Sequence, residues 1–211
     1  MSKQKTDIQH LYCGVQGSGK TYKMKEDTKE FLRKNSSKKK LSFLDSDYIE
    51  YETPSLLVYD PFCEWIETPG SRAVIINGLP VIKFTPEKFE DQTYPYMATN
   101  DKDEFLEYAV KSKNSLLVVE EMLQFDREDF KVFRRISSER RHSFNALYAS
   151  TQRPAHLPII MISSSTQIFC FTLISKDDTK KLTDYANYPL KTKDFSGLEV
   201  GECVQLIQNR S

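Results

Sequence analysis

One octapeptide constrains this chain more than anything else in it. Gly14-Val-Gln-Gly-Ser-Gly-Lys-Thr21 fits the pattern G-x-x-x-x-G-K-[ST] at every fixed position. The apolar run from Ile8 to Cys13 predicts a strand in front of it, and Thr21 to Arg33 predicts a helix behind it. Glycines let backbone N–H groups turn inward toward an anion with no Cβ in the way. The start of the helix points its positive dipole end at the same place. Gly14, Val15, Gln16, Gly17, Ser18 and Gly19 are therefore candidates for a phosphate cradle. Lys20 would reach the β and γ phosphates of ATP, and the Thr21 hydroxyl would bind Mg²⁺. A glycine-rich turn that matched by chance would lack the strand before and the helix after.

The remaining pattern agrees with an α/β fold. Leu56–Asp60, Leu116–Val119, Ala146–Ser150, Ile168–Leu173 and Val204–Ile207 read as strands. Ala73–Ile76 and Val81–Phe84 read as two more, joined by the hairpin signal Asn77-Gly78. Asp101–Ser112 and Asp126–Arg141 carry helical periodicity. Alternating strands and helices imply a mostly parallel central sheet with helices on both faces. At 211 residues the chain suits one domain over 1–211, with an insertion around 61–100.

Composition removes several classes. Lys plus Arg and Asp plus Glu are 30 each, so any nucleic-acid contact must come from a local patch or an assembled ring. Cys13, Cys63, Cys170 and Cys203 form no CxxC pair and read as small core residues in a reducing compartment. No N-terminal apolar segment reads as a signal peptide, and no stretch approaches the ~20 residues of a membrane span. The expected location is the cytoplasm.

Two further elements carry chemistry. Ser115-Leu-Leu-Val-Val-Glu120-Glu121 places two carboxylates at the C-terminal end of a buried strand, where ligands sit in open α/β sheets. Glu120 would hold Mg²⁺, directly or through water, and Glu121 would polarise an attacking water. Lys20 and Glu120 are 100 residues apart, with the Leu56–Asp60 strand between them in the chain. An intervening strand and a Glu beside the metal acid resemble the RecA-like (ASCE) division of P-loop NTPases rather than nucleotide kinases. In Arg140-Arg-His-Ser-Phe-Asn-Ala-Leu-Tyr-Ala-Ser-Thr-Gln-Arg-Pro154, a strand running between the P-loop strand and the acidic strand would set Gln152 beside the γ-phosphate, where an amide can hold water or sense the phosphate.

GVQGSGKT (14–21), VYDPFCEW (58–65), LLVVEE (116–121), RRH (140–142) and STQRP (150–154) together resemble the FtsK–HerA superfamily of DNA-pumping ATPases. Asp60-Pro61 looks like the D-P turn of HerA-type ATPases, and Leu198–Cys203 like the entry to a small C-terminal β hairpin. The short, bare motor core is most similar to the genome-packaging ATPases of membrane-containing icosahedral viruses. That resemblance implies a homo-oligomeric ring, expected as a hexamer, on double-stranded DNA. ATP would lie between subunits, and capsid or membrane vertex proteins would be partners at the virion. It also implies a trans-acting arginine, matched here by Arg141 with Arg140 as the alternative; Arg153 is a weaker candidate for a phosphate or intersubunit role. A solvated basic helix end is the plain reading of the same arginines.

Candidate DNA contacts are Lys38, Lys39 and Lys40, Lys111 and Lys113, and Arg134 and Arg135, each group also consistent with a solvated face. Backbone contact without base reading is expected. The alternatives are an assembly or secretion ATPase of the zonula-occludens-toxin type, a cellular HerA-like translocase, a small-molecule kinase and a non-hydrolysing nucleotide-binding module.

Overall fold

Apolar, β-branched and aromatic runs form the strands, and the turn residues between them set the connections. The computed structural model describes residues 8–43, 46–52, 54–143, 145–185 and 195–207, with the side chains of 37–53 and 140–142 outside the description. β1 (Gln9–Cys13) passes through the glycine-rich loop into α1 (Lys20–Asn35). A separate antiparallel ribbon follows, β2 (Ser37–Phe43) with β3 (Ser46–Glu52). Next come β4 (Ser55–Tyr59), β5 (Ile75–Ile76), β6 (Leu79–Pro80), β7 (Ile82–Lys83), α2 (Pro86–Glu90) and β8 (Tyr96–Thr99). The chain continues through α3 (Lys102–Lys111), β9 (Ser115–Val119), α4 (Asp129–Ser143) and β10 (Ala146–Thr151). It ends with α5 (Ile159–Ser163), β11 (Gln167–Cys170), α6 (Lys176–Tyr185) and β12 (Val204–Ile207).

The central sheet has eight strands in the order β12-β11-β1-β10-β9-β4-β8-β7. Every pairing is parallel except β11 with β12. Because side chains alternate along a strand, one sheet feeds two cores. Leu117 and Val119 of β9 join Leu11, Leu57 and Leu147 beneath Phe105, Phe133, Met161 and Leu182 of α3, α4, α5 and α6. Leu116 and Val118 point the other way, with Leu56, Val58 and Tyr148, beneath Met24, Phe31 and Leu32 of α1 and Trp65 and Ile76 of the β4–β7 connection. Helices therefore cover both faces, as a parallel sheet requires. Among the described residues no helix is long and apolar enough to cross a membrane.

Several expectations are revised. The strand that ends at Gln152, β10, runs between the P-loop strand and the acidic strand as expected, whereas β4, from Leu56–Asp60, lies on the far side of β9. Asn77-Gly78 does turn a hairpin, with φ of 50° and 85°, but its second strand is only Leu79–Pro80. Pro80 has no N–H to extend the pair, and Ile82–Lys83 instead joins the central sheet beside β8. Residues 85–100, which match no motif, form α2 and β8 of that sheet. The basic stretch Lys34–Lys40, which holds the candidate DNA contacts Lys38, Lys39 and Lys40, begins on the last turn of α1. It runs into β2, where Lys39 stands opposite Glu50 in register. The predicted helix from Asp126 starts at Asp129, and the Asp126 carboxylate accepts from the Glu128 and Asp129 amides as its cap. The C-terminal antiparallel pair is present, but α6 and not a tight turn lies between its strands. Cys13 and Cys170 are buried, Cys63 and Cys203 half-buried, and all four are free thiols.

Candidate active site

The C-terminal ends of β1, β10 and β9 bring the sequence candidates together at one edge of the sheet. The glycine-rich loop leaves β1 and is tied at both sides: the Gly14 amide donates to the Thr151 carbonyl at 3.1 Å, and the Val15 amide to the Thr172 carbonyl at 3.0 Å. A Cβ at Gly14 would lie 2.7 Å from the Phe171 Cβ and 2.9 Å from the Ser18 Oγ, so only glycine fits. Gly19 has φ of 100° and sits against Gly201, whose amide donates to the Ser18 carbonyl at 3.0 Å. The Leu198–Cys203 turn thus packs on the phosphate loop, a role that its resemblance to a hairpin entry did not reveal. Thr172 anchors that turn by donating its hydroxyl to the Leu198 carbonyl at 2.9 Å.

Within the loop, the Lys20 ammonium donates to the Val15 carbonyl at 2.8 Å. Burial pushes its pKa down, while Glu121, Cys13 and Glu120 pull it up. The Ser18 hydroxyl is buried without a hydrogen-bond partner. A buried polar atom left unpaired at an anion cradle is what a ligand-supplied partner resolves.

The two acids at the end of β9 are adjacent but live apart. Glu120 is 4% exposed, and burial raises its carboxyl to about 7 against two hydrogen bonds that lower it. Those bonds come from the Trp65 indole to Oε1 at 2.6 Å and the Thr21 hydroxyl to Oε2 at 2.9 Å. Glu121 has φ of 62° and ψ of 84°, a left-handed conformation that bends the chain out of β9. Such strain in a non-glycine residue persists where surroundings fix it. Its amide donates to Ser150 Oγ at 3.1 Å, and its Oε1 accepts from the Leu123 amide at 3.3 Å and the Gln152 amide at 3.4 Å. Glu121 therefore faces the end of β10, where Gln152 is half-buried.

Other candidates separate. Arg140 and Arg141 lie on the last turns of α4, with side chains outside the described residues. The Arg153 Nε donates to Asp178 at 3.0 Å, and Asp178 also accepts from the Ala155 amide at 2.8 Å. That pairing ties the Arg153 side chain to α6. Lys111 and Arg135 make i,i+4 pairs with Glu107 and Glu139 on their own helices. Asp60 directly follows β4 and serves the connection after it. Its carboxylate accepts from the Glu64 and Trp65 amides at 2.9 and 2.8 Å and shapes the start of the β4–β7 connection.

Thr21 and Glu120 fit a hard divalent cation in donor type, since both offer oxygen. Among the described residues no group of three His, Cys, Asp or Glu side chains gathers as a metal site.

A phosphate loop on a central parallel strand, with paired carboxylates two strands away and a polar strand end between, defines a P-loop NTPase fold of the RecA-like kind. Solved structures share it. The genome packaging NTPase B204 of Sulfolobus turreted icosahedral virus 2, in complex with AMPPCP, superposes with a TM-score of 0.60 at 17% identity, over 85% of this chain and 82% of that one. B204, the DNA-packaging ATPase of Sulfolobus turreted icosahedral virus, gives 0.57 at 18% identity over 86% and 83%. EssC (ATPases 2 and 3) of Geobacillus thermodenitrificans gives 0.55 at 10% identity over 99% of this chain and 39% of its own. No protein-family model and no curated protein matches the sequence.

Proposed function

We propose that this protein is a Mg²⁺-dependent ATPase that moves double-stranded DNA, working as a ring in which packaging a genome into a capsid is the output. The observation that carries the ATPase reading is the order β1-β10-β9, with Thr21 2.9 Å from Glu120 and Glu121 turned toward Gln152. The loop amides and Lys20 bind the phosphates. Glu121 accepts a proton from the attacking water, and Gln152 helps to hold that water or sense the γ-phosphate. Thr21 and Glu120 would hold Mg²⁺, which neutralises charge on the phosphates. Arg141, or Arg140, supplies the arginine to a neighbouring subunit; such fingers are worth ~10³–10⁵ in rate. The DNA load and the capsid setting rest on likeness to packaging ATPases, in sequence motifs and in fold.

ATPase assays with and without double-stranded DNA test the reading. The expected result is hydrolysis that DNA stimulates, with stimulation falling as salt rises because contact is to the backbone. ATP hydrolysis indifferent to DNA would favour an assembly or secretion ATPase, and phosphate transfer to a small acceptor would make the protein a kinase. Glu121→Gln should retain nucleotide binding by calorimetry and lose turnover by ~10²–10⁴-fold. Mixing Arg141→Ala with Glu121→Gln subunits should restore part of the activity; none at any ratio contradicts the trans assignment.

A further inference from the structure

The chain has one tryptophan, and it is committed to a carboxylate. Trp65 is fully buried, 0% exposed, and its indole Nε1 donates to Glu120 Oε1 at 2.6 Å. An indole N–H is a donor only, so it cannot exchange roles with its partner. It occupies one carboxylate oxygen from the α1 face of the sheet and leaves Oε2 facing Thr21. Glutamate needs such a restraint more than aspartate would, because it has one more rotatable bond to order.

Trp65 itself is fixed from several directions. Its amide donates to Asp60 Oδ2 at 2.8 Å, and its carbonyl accepts from the Val74 amide at 2.9 Å. On α1, the Lys25 ammonium donates to the neighbouring Glu64 carbonyl at 2.8 Å and lies 5.6 Å from the centre of the Trp65 ring. The Asp60-Pro61 turn, the β4–β7 connection and the helix that starts at the phosphate loop thus converge on one indole. We infer that Trp65 is a positioning residue: it holds Glu120 Oε1 so that Oε2 meets Thr21 at the metal side of the nucleotide site. The inference rests on reading Glu120 as the metal-side acid.

Because no other tryptophan contributes, Trp65 is its own probe. In wild-type protein without nucleotide, the single indole ¹H–¹⁵N resonance should lie downfield and move upfield in Glu120→Ala. An unmoved resonance overturns the hydrogen bond. Adding Mg²⁺ to wild-type protein that holds a non-hydrolysable ATP analogue should change tryptophan emission, and chelation should reverse the change; constant emission overturns the link to the metal side. Trp65→Phe keeps an aromatic core residue and removes the donor. Provided that it folds, kcat should fall about tenfold and half-saturating Mg²⁺ should rise about tenfold, with KM for ATP changed less than twofold. Unaltered kcat and Mg²⁺ dependence, or equal losses explained by unfolding, overturn the positioning role. A wild-type protein that hydrolyses no ATP would sink the ATPase reading instead, and the nucleotide-free indole resonance would still decide the Trp65–Glu120 contact.

Discussion

The two faces of the central sheet are covered by different means. Four helices, α3 to α6, close one face; α1 and the irregular β4–β7 connection close the other. The four-helix face is mostly aromatic and aliphatic packing, with the Phe125 ring 4.8 Å from both Tyr59 and Phe133, and its buried Asp178 is paired with Arg153 and the Ala155 amide. The α1 face keeps polar groups inside: Asp60, Glu120, the Trp65 indole and Tyr12, whose hydroxyl donates to Asp27 at 2.9 Å. His10 stacks on Tyr148 there, and burial lowers its pKa to about 4. A helix has already spent its interior amides on i−4 carbonyls. An irregular segment has amides free to aim at a carboxylate, which is how Asp60 and, through Trp65, Glu120 are held. The regular face is scaffold, and the irregular one adjusts the site.

That contrast can be broken first on the scaffold side. Phe133 is fully buried among Phe105, Phe125 and Phe130. Phe133→Ala should cost ~3–5 kcal/mol of stability by urea unfolding, with the nucleotide affinity of the protein that remains folded unchanged. Loss of affinity in the folded fraction would mean that the scaffold face also tunes the site.

Glu120 gives the next effect, and its sign follows from burial. Its carboxyl titrates at about 7 when folded against 4.5 ordinarily. Between those values the folded state holds a proton that the unfolded state has lost, so stability falls as pH rises through that window. The drop amounts to roughly 3 kcal/mol in metal-free protein. Glu120→Gln should flatten the slope between pH 4.5 and 7 in urea titrations; an unchanged slope would assign it to other groups.

Legibility followed the same division. The phosphate loop and the Glu120–Glu121 pair could be read because local geometry demands those residue types in that order. That Gln152 ends an apolar strand could be read from its neighbours; the place of that strand between β1 and β9 was an expectation that only the pairing decides. The Trp65–Glu120 bond could not be read: its partners are 55 residues apart, in a stretch with no periodicity. β8 is four residues, YMAT, too short to show alternation. α6 escaped because six of its ten residues are charged, in KDDTKKLTDY, so its inward stripe is narrow. The run of lysines in β2 read as solvated chain, since pairing with β3 leaves no mark in composition.

Asp60→Ala separates the irregular segment from the carboxylate that it serves. Two amides of the β4–β7 connection would lose their acceptor, at a cost of about 2 kcal/mol. Because the Trp65 amide is one of them, tryptophan emission should shift to the red in native conditions. Destabilisation with unshifted emission would show that Val74 and Lys25 suffice to hold Trp65.

The smallest effect belongs to Arg153. Its guanidinium side chain is 45% exposed, while Asp178 beneath it is 2% exposed and retains the Ala155 amide. Water can replace a half-exposed arginine at Asp178, so Arg153→Ala should cost less than about 1 kcal/mol. The pair joins the end of β10 to α6, on the scaffold side of the sheet, and turnover should stay at the wild-type rate. A large loss of turnover at unchanged stability would place Arg153 in the site after all, with Asp178 as the group that parks it between cycles.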